Sequence, residues 1–332
     1  MIKPYADLSR LGKIRRLRQV ALKALEQYDL RVKWVKFLTI ETNTMFQIRT
    51  EDNRRFVLRI YSDEETTLQE NQAEIFWLNA LKRDTDLSIT EPVARRDGTY
   101  ITVVSVPGVP GERRCIVFKW IPGRPLETCL SPENYYKLGQ ALAKLHHHAS
   151  TLKPLPSTIN PKKWDRVFYY PDEPVVYNDP AYGHHFPPAR IALLDKVIVR
   201  ADAVFERLFA DKDGQVLIHG DLHYWNVHVY RGEVYLLDFE DVMLGYPVQD
   251  IAVTLSYGQQ IQNYDTLVQA FQQGYTQLRP WPVEDLCQLQ TLMAARSVMF
   301  INYVARIDPD PLAYIEQRAQ RLERFLHRCE QT

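Results

Sequence analysis

Residues 215–226 read QVLIHGDLHYWN, and residues 232–241, shortly after them, read GEVYLLDFED. In both stretches an apolar run, typical of a buried strand, is followed within three residues by an Asp. Asp221 follows the first run at a Gly-containing turn, Asn226 lies five positions beyond it, and Asp238 ends the second run. A strand that ends in a turn explains the apolar residues, but it does not explain why these three polar side chains occur together.

The spacing of these three residues fits a site for phosphoryl transfer. In such sites an Asp lies beside the acceptor hydroxyl and accepts its proton, and an Asn five residues along the same loop turns its amide oxygen to Mg²⁺. A carboxylate from the next strand completes the protein ligands, because Mg²⁺ takes its remaining oxygens from phosphates and water. The sequence therefore predicts Asp221 as the catalytic residue, Asn226 and Asp238 as metal ligands, and ATP and Mg²⁺ as cofactors.

The motifs around this loop resemble those of a known superfamily. HGDLHYWN, LGQALAKLHHHA at 138–149 and LLDFEDVMLGYPVQDIAV at 236–253 resemble the protein kinase-like superfamily, over about residues 30–300. The Gly of His-Gly-Asp resembles its small-molecule branch, the aminoglycoside phosphotransferase and choline kinase group. The resemblance implies an α+β, bilobal fold, with a small N-terminal antiparallel sheet lobe carrying one helix and a larger, mostly helical C-terminal lobe. It also implies that His219 supports the loop and that Asp250 caps a helix and braces it.

Composition and charge exclude several other classes. The 332 residues contain 41 Lys and Arg against 41 Asp and Glu, so the chain lacks the basic excess of a general nucleic-acid binder. The N-terminus has no apolar signal core and no run reaches a membrane-spanning length, so we expect a cytoplasmic protein without a membrane partner. No zinc site is expected, because the cysteines form no CxxC pair and adjacent histidines at 146–148 point to different faces of a helix.

The order of patterns along the chain predicts two lobes. Helical spacing over 14–28 predicts a leading helix with a solvated basic face, and a membrane-surface helix is the alternative. Strand patterns and one helix then build a sheet lobe, at 44–50, 55–61, 66–82 (the helix), 100–106 and 115–121. A Pro- and Gly-containing hinge at 121–127 follows. We therefore predict a nucleotide-binding lobe at 1–120 and a catalytic, substrate-binding lobe at 121–332.

The second lobe contains one segment of different character. Helices are predicted after Ser131, at 188–212 and from 248 onward, with strands at 215–219, 227–230 and 233–238. Residues 154–188 hold eight prolines, which prevent long regular elements. This insertion is either an irregular segment packed on the lobe or a wall over a substrate cleft.

In the first lobe the resemblance assigns an ion pair. Where kinases carry a Lys on the third strand, this chain has Arg59, whose fork can bridge phosphate oxygens. Glu74 is its expected partner on the following helix, and Glu70 is the second choice.

The remaining nucleotide contacts are also implied by the resemblance. The phosphate-covering loop falls in TIETNTMF, which contains no glycine, so side chains have to assist the backbone there. The hinge backbone is expected to meet the adenine edge. The residues expected to bind nucleotide are Thr42, Asn43 and Thr44 at the phosphates, Lys119 and Ile121 at the hinge, Val57 and Ile40 above the ring, and Leu237 and His228 below it.

The acceptor is expected to be a small molecule. Only 12 positions separate Asp238 from Asp250, without Ser or Thr, so no phosphorylation-controlled activation segment is visible. The acids Asp165, Asp172, Glu173 and Asp179, among aromatic residues, favour an amine such as an aminoglycoside, choline or an amino alcohol. The candidate substrate residues are Trp164, Glu240, Asp241, Arg296 and Tyr303.

Alternatives stay open on the acceptor. Arg296 and Arg306 on a late helix equally favour an acceptor with a carboxylate, such as homoserine. The segment also resembles the bacterial stress response kinase A group, which implies a Ser/Thr protein kinase as the alternative function. A nucleotide-binding sensor is a third interpretation.

Overall fold

The computed structural model describes residues 3–62, 66–152, 154–170, 173–259 and 261–329. The chain forms two compact units. The first unit comprises residues 1–124, 154–160 and 228–240, and the second comprises residues 125–153, 161–227 and 241–332. The first unit thus takes in a late segment, 228–240, which the linear order of the sequence patterns assigned to the second lobe.

Eight helices and eleven strands lie in the described residues. In chain order they are α1 (Arg10–Leu25), β1 (Val32–Ile40), β2 (Thr44–Thr50), β3 (Arg55–Ile60), α2 (Leu68–Asp84), β4 (Thr102–Val104), β5 (Arg113–Lys119), β6 (Arg124–Pro125), α3 (Pro132–Thr151), β7 (Lys162–Lys163), α4 (Pro188–Ala210), β8 (Val216–Ile218), β9 (Val227–Tyr230), β10 (Glu233–Leu236), β11 (Met243–Gly245), α5 (Pro247–Ser256), α6 (Tyr264–Thr276), α7 (Leu286–Ile307) and α8 (Leu312–Cys329). The element types expected from the sequence are present, with bounds that differ by a few residues.

The first unit is built on an antiparallel sheet in the order β1-β2-β3-β5-β4. Strict alternation in β2 buries Phe46 and Ile48 completely on one face. Helix α1 packs on the sheet with Val20, Ala21 and Ala24 fully buried, as predicted for a docked helix. These contacts form the core of the first unit.

Strand β1 was not expected from the sequence. Val35 is its one buried residue, while Phe37 and Leu38 are exposed, and its pairing with β2 contains two register shifts. Such an edge strand lacks the regular alternation on which a strand prediction depends. Its presence shortens the expected phosphate loop to a turn at 41–43.

In the second unit, α3 and α6 approach until their backbones touch. A Cβ atom on Gly139 would lie 2.0 Å from the carbonyl oxygen of Phe271, and one on Gly274 would lie 1.9 Å from that of Tyr136. Helix α3 begins where predicted, since the Ser131 side chain accepts the N–H of Asn134 at 3.2 Å. Helix α7 packs against α4, α5 and α8.

The described part of the insertion that belongs to the second unit, at 161–170 and 173–188, packs on that unit. Trp164 is 1% exposed and lies with its ring centroid 6.0 Å from those of Tyr169 and Phe205. The backbone N–H of Val176 donates to Asn302 of α7 at 2.7 Å. Trp164 was predicted as a substrate contact, and in this structure its ring packs in the core of the second unit.

Two cysteines that are distant in sequence are close in space. The Sγ atoms of Cys287, in the first turn of α7, and Cys329, at the end of α8, lie 3.2 Å apart as free thiols. Among the helices of the described residues, none combines the length and apolar character that crossing a bilayer requires.

Candidate active site

The catalytic loop follows β8 through a glycine turn. Gly220 has φ of +78°, and a Cβ atom there would lie 2.3 Å from the carbonyl oxygen of Asp241. Both the left-handed conformation and this contact exclude a side chain. The Gly of His-Gly-Asp is therefore required by local packing in this chain.

Asp250, in the first turn of α5, holds the backbone of that turn. Its carboxylate oxygens accept the N–H of His219 at 2.8 Å and that of Gly220 at 2.7 Å, and the side chain is completely buried. Burial alone would raise the pKa of Asp250, but the hydrogen bonds from His146 and from the N–H of Gly220 hold the pKa below its usual value. The structure thus places Asp250 where the resemblance implied a brace.

His146 on α3 supports this carboxylate from behind. Its Nε2 lies 3.1 Å from Asp250 Oδ2 and its Nδ1 lies 2.9 Å from the hydroxyl of Tyr275 on α6. Complete burial lowers the pKa of His146, so the ring favours its neutral form. The neighbouring His147 is exposed, which agrees with the expectation that the three adjacent histidines do not converge.

Asp221 is held by three neighbours of the second unit. Its Oδ1 accepts from Nη2 of Arg296, its Oδ2 accepts from Nδ2 of Asn226 at 3.0 Å, and His223 Nε2 lies 3.3 Å from the same oxygen. Asn226 also donates to the carbonyl of Asp221 at 2.9 Å. The amide nitrogen of Asn226 is therefore used inside the loop, and its amide oxygen is the end that can meet a cation.

The contact between Arg296 and Asp221 was missed by sequence reasoning, which placed Arg296 at the substrate. The guanidinium is 3% exposed and also donates to the hydroxyls of Tyr169 at 3.4 Å and Tyr257 at 3.5 Å. The side chain reaches Asp221 from α7, 75 residues later in the chain. An Arg at a buried position of a helix was the available signal, but it does not name the partner.

In the first unit, Arg59 joins two carboxylates. Its Nη1 lies 3.0 Å from Glu74 Oε1 on α2, and its Nη2 lies 2.7 Å from Asp238 Oδ1. Glu74, as expected, is the partner, and its second oxygen accepts from the Tyr61 hydroxyl at 2.6 Å. Complete burial raises the pKa of Glu74, and Arg59 opposes that shift. The second choice, Glu70, instead forms the capping box of α2.

Asp238 has a strained backbone. Its φ of +60° lies in the left-handed region, which is uncommon for residues other than glycine and costs about 1–3 kcal/mol. Its side chain remains 34% exposed. The next residue, Phe239, is fully buried with its ring centroid 5.7 Å from that of Trp77 on α2. Packing of Phe239 thus fixes the turn that presents the Asp238 carboxylate.

The phosphate-loop residues play different parts. Asn43 is 4% exposed, donates to Glu240 and accepts the N–H of Ser62 at 3.1 Å. Thr44 is buried as the first residue of β2, whereas Thr42 is exposed in the turn. Asn43 and Thr44 therefore shape the turn in this structure.

The hinge residues lie at the end of β5. The backbone N–H of Lys119 donates to the carbonyl of Glu91 at 2.9 Å, and its Nζ lies 2.7 Å from the Glu91 carboxylate. Its N–H is thus already used, which leaves its carbonyl for a ligand. The other residues expected around the adenine are partly buried, namely Ile40, Val57, Ile121, His228 and Leu237.

Asp241 is held in a polar contact rather than presented to a substrate. Its Oδ1 accepts from Lys162 Nζ at 2.8 Å and from the Tyr170 hydroxyl at 2.9 Å. Burial alone would raise the pKa of Asp241, but Lys162 and Tyr170 lower it to about 2. Glu240, for its part, lies 3.8 Å from Arg59. Asp241 was predicted as a substrate residue, and in this structure its charge is compensated by Lys162 within the second unit.

The acids of the insertion are also engaged. Asp165 pairs with the adjacent Arg166 at 2.8 Å, and Asp179 caps a short 3₁₀ turn through the N–H of Ala181 at 2.9 Å. Glu173 pairs with Arg306 at 2.6 Å. Asp172 lies outside the described residues. The charges that favoured a cationic acceptor are thus largely used in local contacts.

The late helix contributes one further candidate. Tyr303 of α7 is half-buried, and the guanidinium of Arg306 lies 5.6 Å from its ring centroid. Because Arg306 already pairs with Glu173, it does not contribute an uncompensated charge.

Comparison with known proteins assigns the class. The model of the phosphotransferase enzyme family matches residues 35–281, which is most of the chain. The chain belongs to this family, and its fold is the kinase-like fold of the family's phosphotransferases.

Three curated relatives show how wide this family is. An uncharacterized protein of Synechocystis sp. is 27% identical over 71% of this chain, and the match spans 63% of that relative. Amicoumacin kinase of Bacillus subtilis is 24% identical over 71% of this chain and 67% of its own length. Stress response kinase A of Salmonella choleraesuis is 21% identical over 81% of this chain and 76% of its own length.

Two solved structures share the fold. Amicoumacin kinase in complex with AMP-PNP, Ca²⁺ and its ligand superposes with a TM-score of 0.78 at 18% identity, covering 95% of this chain and 96% of the other. A microcompartment-associated aminopropanol kinase gives a TM-score of 0.76 at 20% identity, covering 93% and 98%.

Proposed function

We propose that this protein transfers the γ-phosphoryl group of ATP to a hydroxyl of a small, amine-containing molecule. The observation that carries the proposal is Asp221, which lies in the His-Gly-Asp loop and which Asn226 and Arg296 hold in one orientation. The similarity to kinases named for amicoumacin and aminopropanol supports a small acceptor with an amine.

Asp221 acts on the acceptor in this proposal. One carboxylate oxygen of Asp221 accepts the proton of the acceptor hydroxyl while the hydroxyl oxygen forms a bond to the γ-phosphorus. The bond between the γ-phosphorus and the oxygen that bridges it to the β-phosphate breaks, and ADP leaves. Arg296 fixes the other carboxylate oxygen and therefore orients the group. The brace from Asp250 keeps the turn at Gly220 from relaxing.

Asn226 and Asp238 have the donors that a hard divalent cation takes. Asp238 is partly exposed in a strained turn, and the amide oxygen of Asn226 is the end not used inside its loop. Magnesium, when bound, would neutralise charge on the β- and γ-phosphate oxygens. Arg59 adds a fixed positive charge beside Asp238 on the first unit.

A second candidate is a Ser/Thr protein kinase. It is favoured by the similarity to stress response kinase A over 271 residues. The short segment between Asp238 and Asp250, without Ser or Thr, favours the small-molecule interpretation, since it offers no phosphorylation-controlled loop.

An ATP-consumption screen separates these candidates. ADP release is measured with aminoglycosides, amino alcohols, choline, sugars and a protein substrate, using the wild type, Asp221→Asn and the control Asp265→Asn, which changes an exposed acid. We expect an amine-containing alcohol to stimulate ADP release. Asp221→Asn should lower the stimulated rate about 10²–10⁴-fold, because the variant lacks the proton acceptor. Phosphate transfer to protein alone would support the second candidate, and nucleotide binding without turnover would support a sensor.

The metal role has a separate readout. Asp238→Ala should weaken Mg²⁺-dependent ATP binding in calorimetry while leaving Mg²⁺-independent binding less affected. Equal affinity for Mg-ATP in the variant and the wild type would argue against Asp238 as a ligand.

A further inference from the structure

The second unit carries arginines beside the catalytic loop that the proposed transfer does not use. Arg318 and Arg321 lie one turn apart on α8, and Arg296 lies on α7. Arg318 is 9% exposed, and Arg321 is half-buried. Arginines at such depth are normally paired with an acid.

Arg318 has no such acid. Its Nη1 donates to Ser297 Oγ at 3.2 Å, and its guanidinium lies 5.0 Å from the Tyr314 ring centroid and 6.0 Å from that of Phe300. Among the described residues, no carboxylate lies within ion-pair distance of it. Ring faces offset part of the cost of burying a cation, but they do not neutralise its charge.

The other two buried arginines of the described residues differ from Arg318 in this respect. Arg59 meets Glu74 at 3.0 Å, and Arg296 meets Asp221. Among the buried arginines, the missing counter-charge is therefore particular to Arg318, and an anionic ligand would supply it.

Arg318 lies next to the proposed acceptor site. The Phe300 ring lies 5.0 Å from the guanidinium of Arg296, which binds Asp221, and 6.0 Å from that of Arg318. Arg318 and the arginine that orients the catalytic carboxylate thus lie near the same aromatic ring.

Electrostatic coupling supports this neighbourhood. Burial lowers the pKa of Arg321, and the nearby charge of Arg318 lowers it further. The two arginines of α8 therefore lie close enough to repel each other.

We infer that Arg318 binds an anionic group of the acceptor, a carboxylate or a phosphate monoester, while the acceptor hydroxyl meets Asp221. The inference rests on the proposed function and adds an anionic group to the acceptor that it describes. Hydroxy amino acids meet both conditions. The inference also agrees with the contacts of the insertion. Asp165 and Glu173 are already paired with arginines there, so their charges do not select an amine.

Matched acceptors test the inference. ADP release is measured for homoserine against 3-aminopropan-1-ol, for threonine against 1-aminopropan-2-ol, and for glycerol 3-phosphate against glycerol. Each pair differs by one anionic group, and the third pair separates a phosphate from a carboxylate. The proteins are the wild type, Asp221→Asn, Arg318→Gln, Arg318→Lys and the control Arg324→Gln, which removes an exposed charge from the same helix.

The expected result is a preference for the anionic member of at least one pair, of about tenfold or more in kcat/KM, as a charge-assisted hydrogen bond provides. Arg318→Gln should reduce that ratio by about tenfold and raise KM more than it lowers kcat. Arg318→Lys should keep part of the preference, because it keeps the charge and loses the fork. If Arg318→Gln does not fold, the ratio in Arg318→Lys decides.

Two results would overturn the inference and leave the proposed function standing. One is Asp221-dependent turnover of the uncharged members at rates equal to or above those of the anionic ones. The other is an equal loss for both members in the Arg318 variants, which indicates a packing role. If no acceptor gives Asp221-dependent ADP release, the proposed function fails, and the inference fails with it.

Discussion

Replacing Asp250 with Ala should destabilise the catalytic loop by about 2–6 kcal/mol. The carboxylate accepts two backbone N–H groups, from His219 at 2.8 Å and Gly220 at 2.7 Å, in a completely buried place. Alanine leaves both donors without this acceptor, and each buried unsatisfied donor costs about 1–3 kcal/mol. The His146 ring also loses its partner at 3.1 Å. The summed cost of the two N–H groups is therefore a lower bound on the loss of stability.

Asp250→Asn tests the same argument with less change of shape. The amide has one acceptor oxygen, so it can satisfy one of the two N–H groups and turns a donor toward the other. We expect a loss of about 1.5–3 kcal/mol, the contribution of one hydrogen bond to a charged group. The order of stability should therefore be wild type, Asn, Ala.

Hydrogen exchange of the peptide that carries His219 and Gly220 is the direct assay. A local measurement is preferable because a chain of two units need not unfold in one step. Asp265→Ala is the control, since it removes an exposed acid from the first turn of a helix at a cost of about 0.3–1 kcal/mol. If the peptide exchanged as slowly in the Asp250→Ala variant as in the control variant, the loop would not depend on the brace, and the reasoning would be refuted.

Asp250 and His146 also make the stability of the fold depend on pH, with a defined sign. The folded pKa of Asp250 lies below its ordinary 3.8, so its contribution to stability is present above pH 3.8 and is lost as pH falls toward the folded pKa. The folded pKa of His146 lies below its ordinary 6.5, so the unfolded chain binds the proton first and stability also falls as pH drops through 6.5. Hydrogen exchange measured across pH should show both losses of stability. Asp250→Asn should remove the loss below pH 3.8.

Further predictions concern both units. Arg59→Met should destabilise the first unit by about 3–5 kcal/mol, because Glu74 keeps a buried charge, and the double change with Glu74→Gln should recover part of the loss in urea unfolding. Gly220→Ala should cost at least about 1–3 kcal/mol of strain and remove activity with little change in far-UV circular dichroism. Oxidation with glutathione disulfide should join Cys287 and Cys329, whose Sγ atoms lie 3.2 Å apart, with loss of two hydrogens in mass spectrometry. Closing the 42-residue separation should stabilise the chain by about 4 kcal/mol, and Cys287→Ser should abolish the effect.

Much of the fold could be predicted because local patterns agree with it. The strand at 44–50 alternates in sequence and in burial, and Ser131 caps the helix that follows it directly. Strand β1 could not be predicted in the same way, since Phe37 and Leu38 are apolar and exposed. Its stability comes from pairing with β2, a contact that a window of sequence does not contain.

The candidate site was predictable where the residues share one short segment. Asp221 and Asn226 lie in one loop, so their spacing alone indicates that they meet. Arg296 reaches Asp221 from a distant helix, and Trp164 turns into the core, so both depend on tertiary packing. For the same reason, sequence distance did not show that Cys287 and Cys329 are neighbours.

The backbone contact between α3 and α6 has a consequence for engineering this protein. Replacing a helical glycine with alanine ordinarily gains about 1 kcal/mol, so Gly139 and Gly274 would rank high in a stabilising library. Here a methyl group would lie 2.0 and 1.9 Å from carbonyl oxygens of the facing helix. Since His146 on α3 meets Tyr275 on α6, separating the helices would also disturb the support behind Asp250. A library should keep both glycines and vary the solvent-facing positions of the two helices instead.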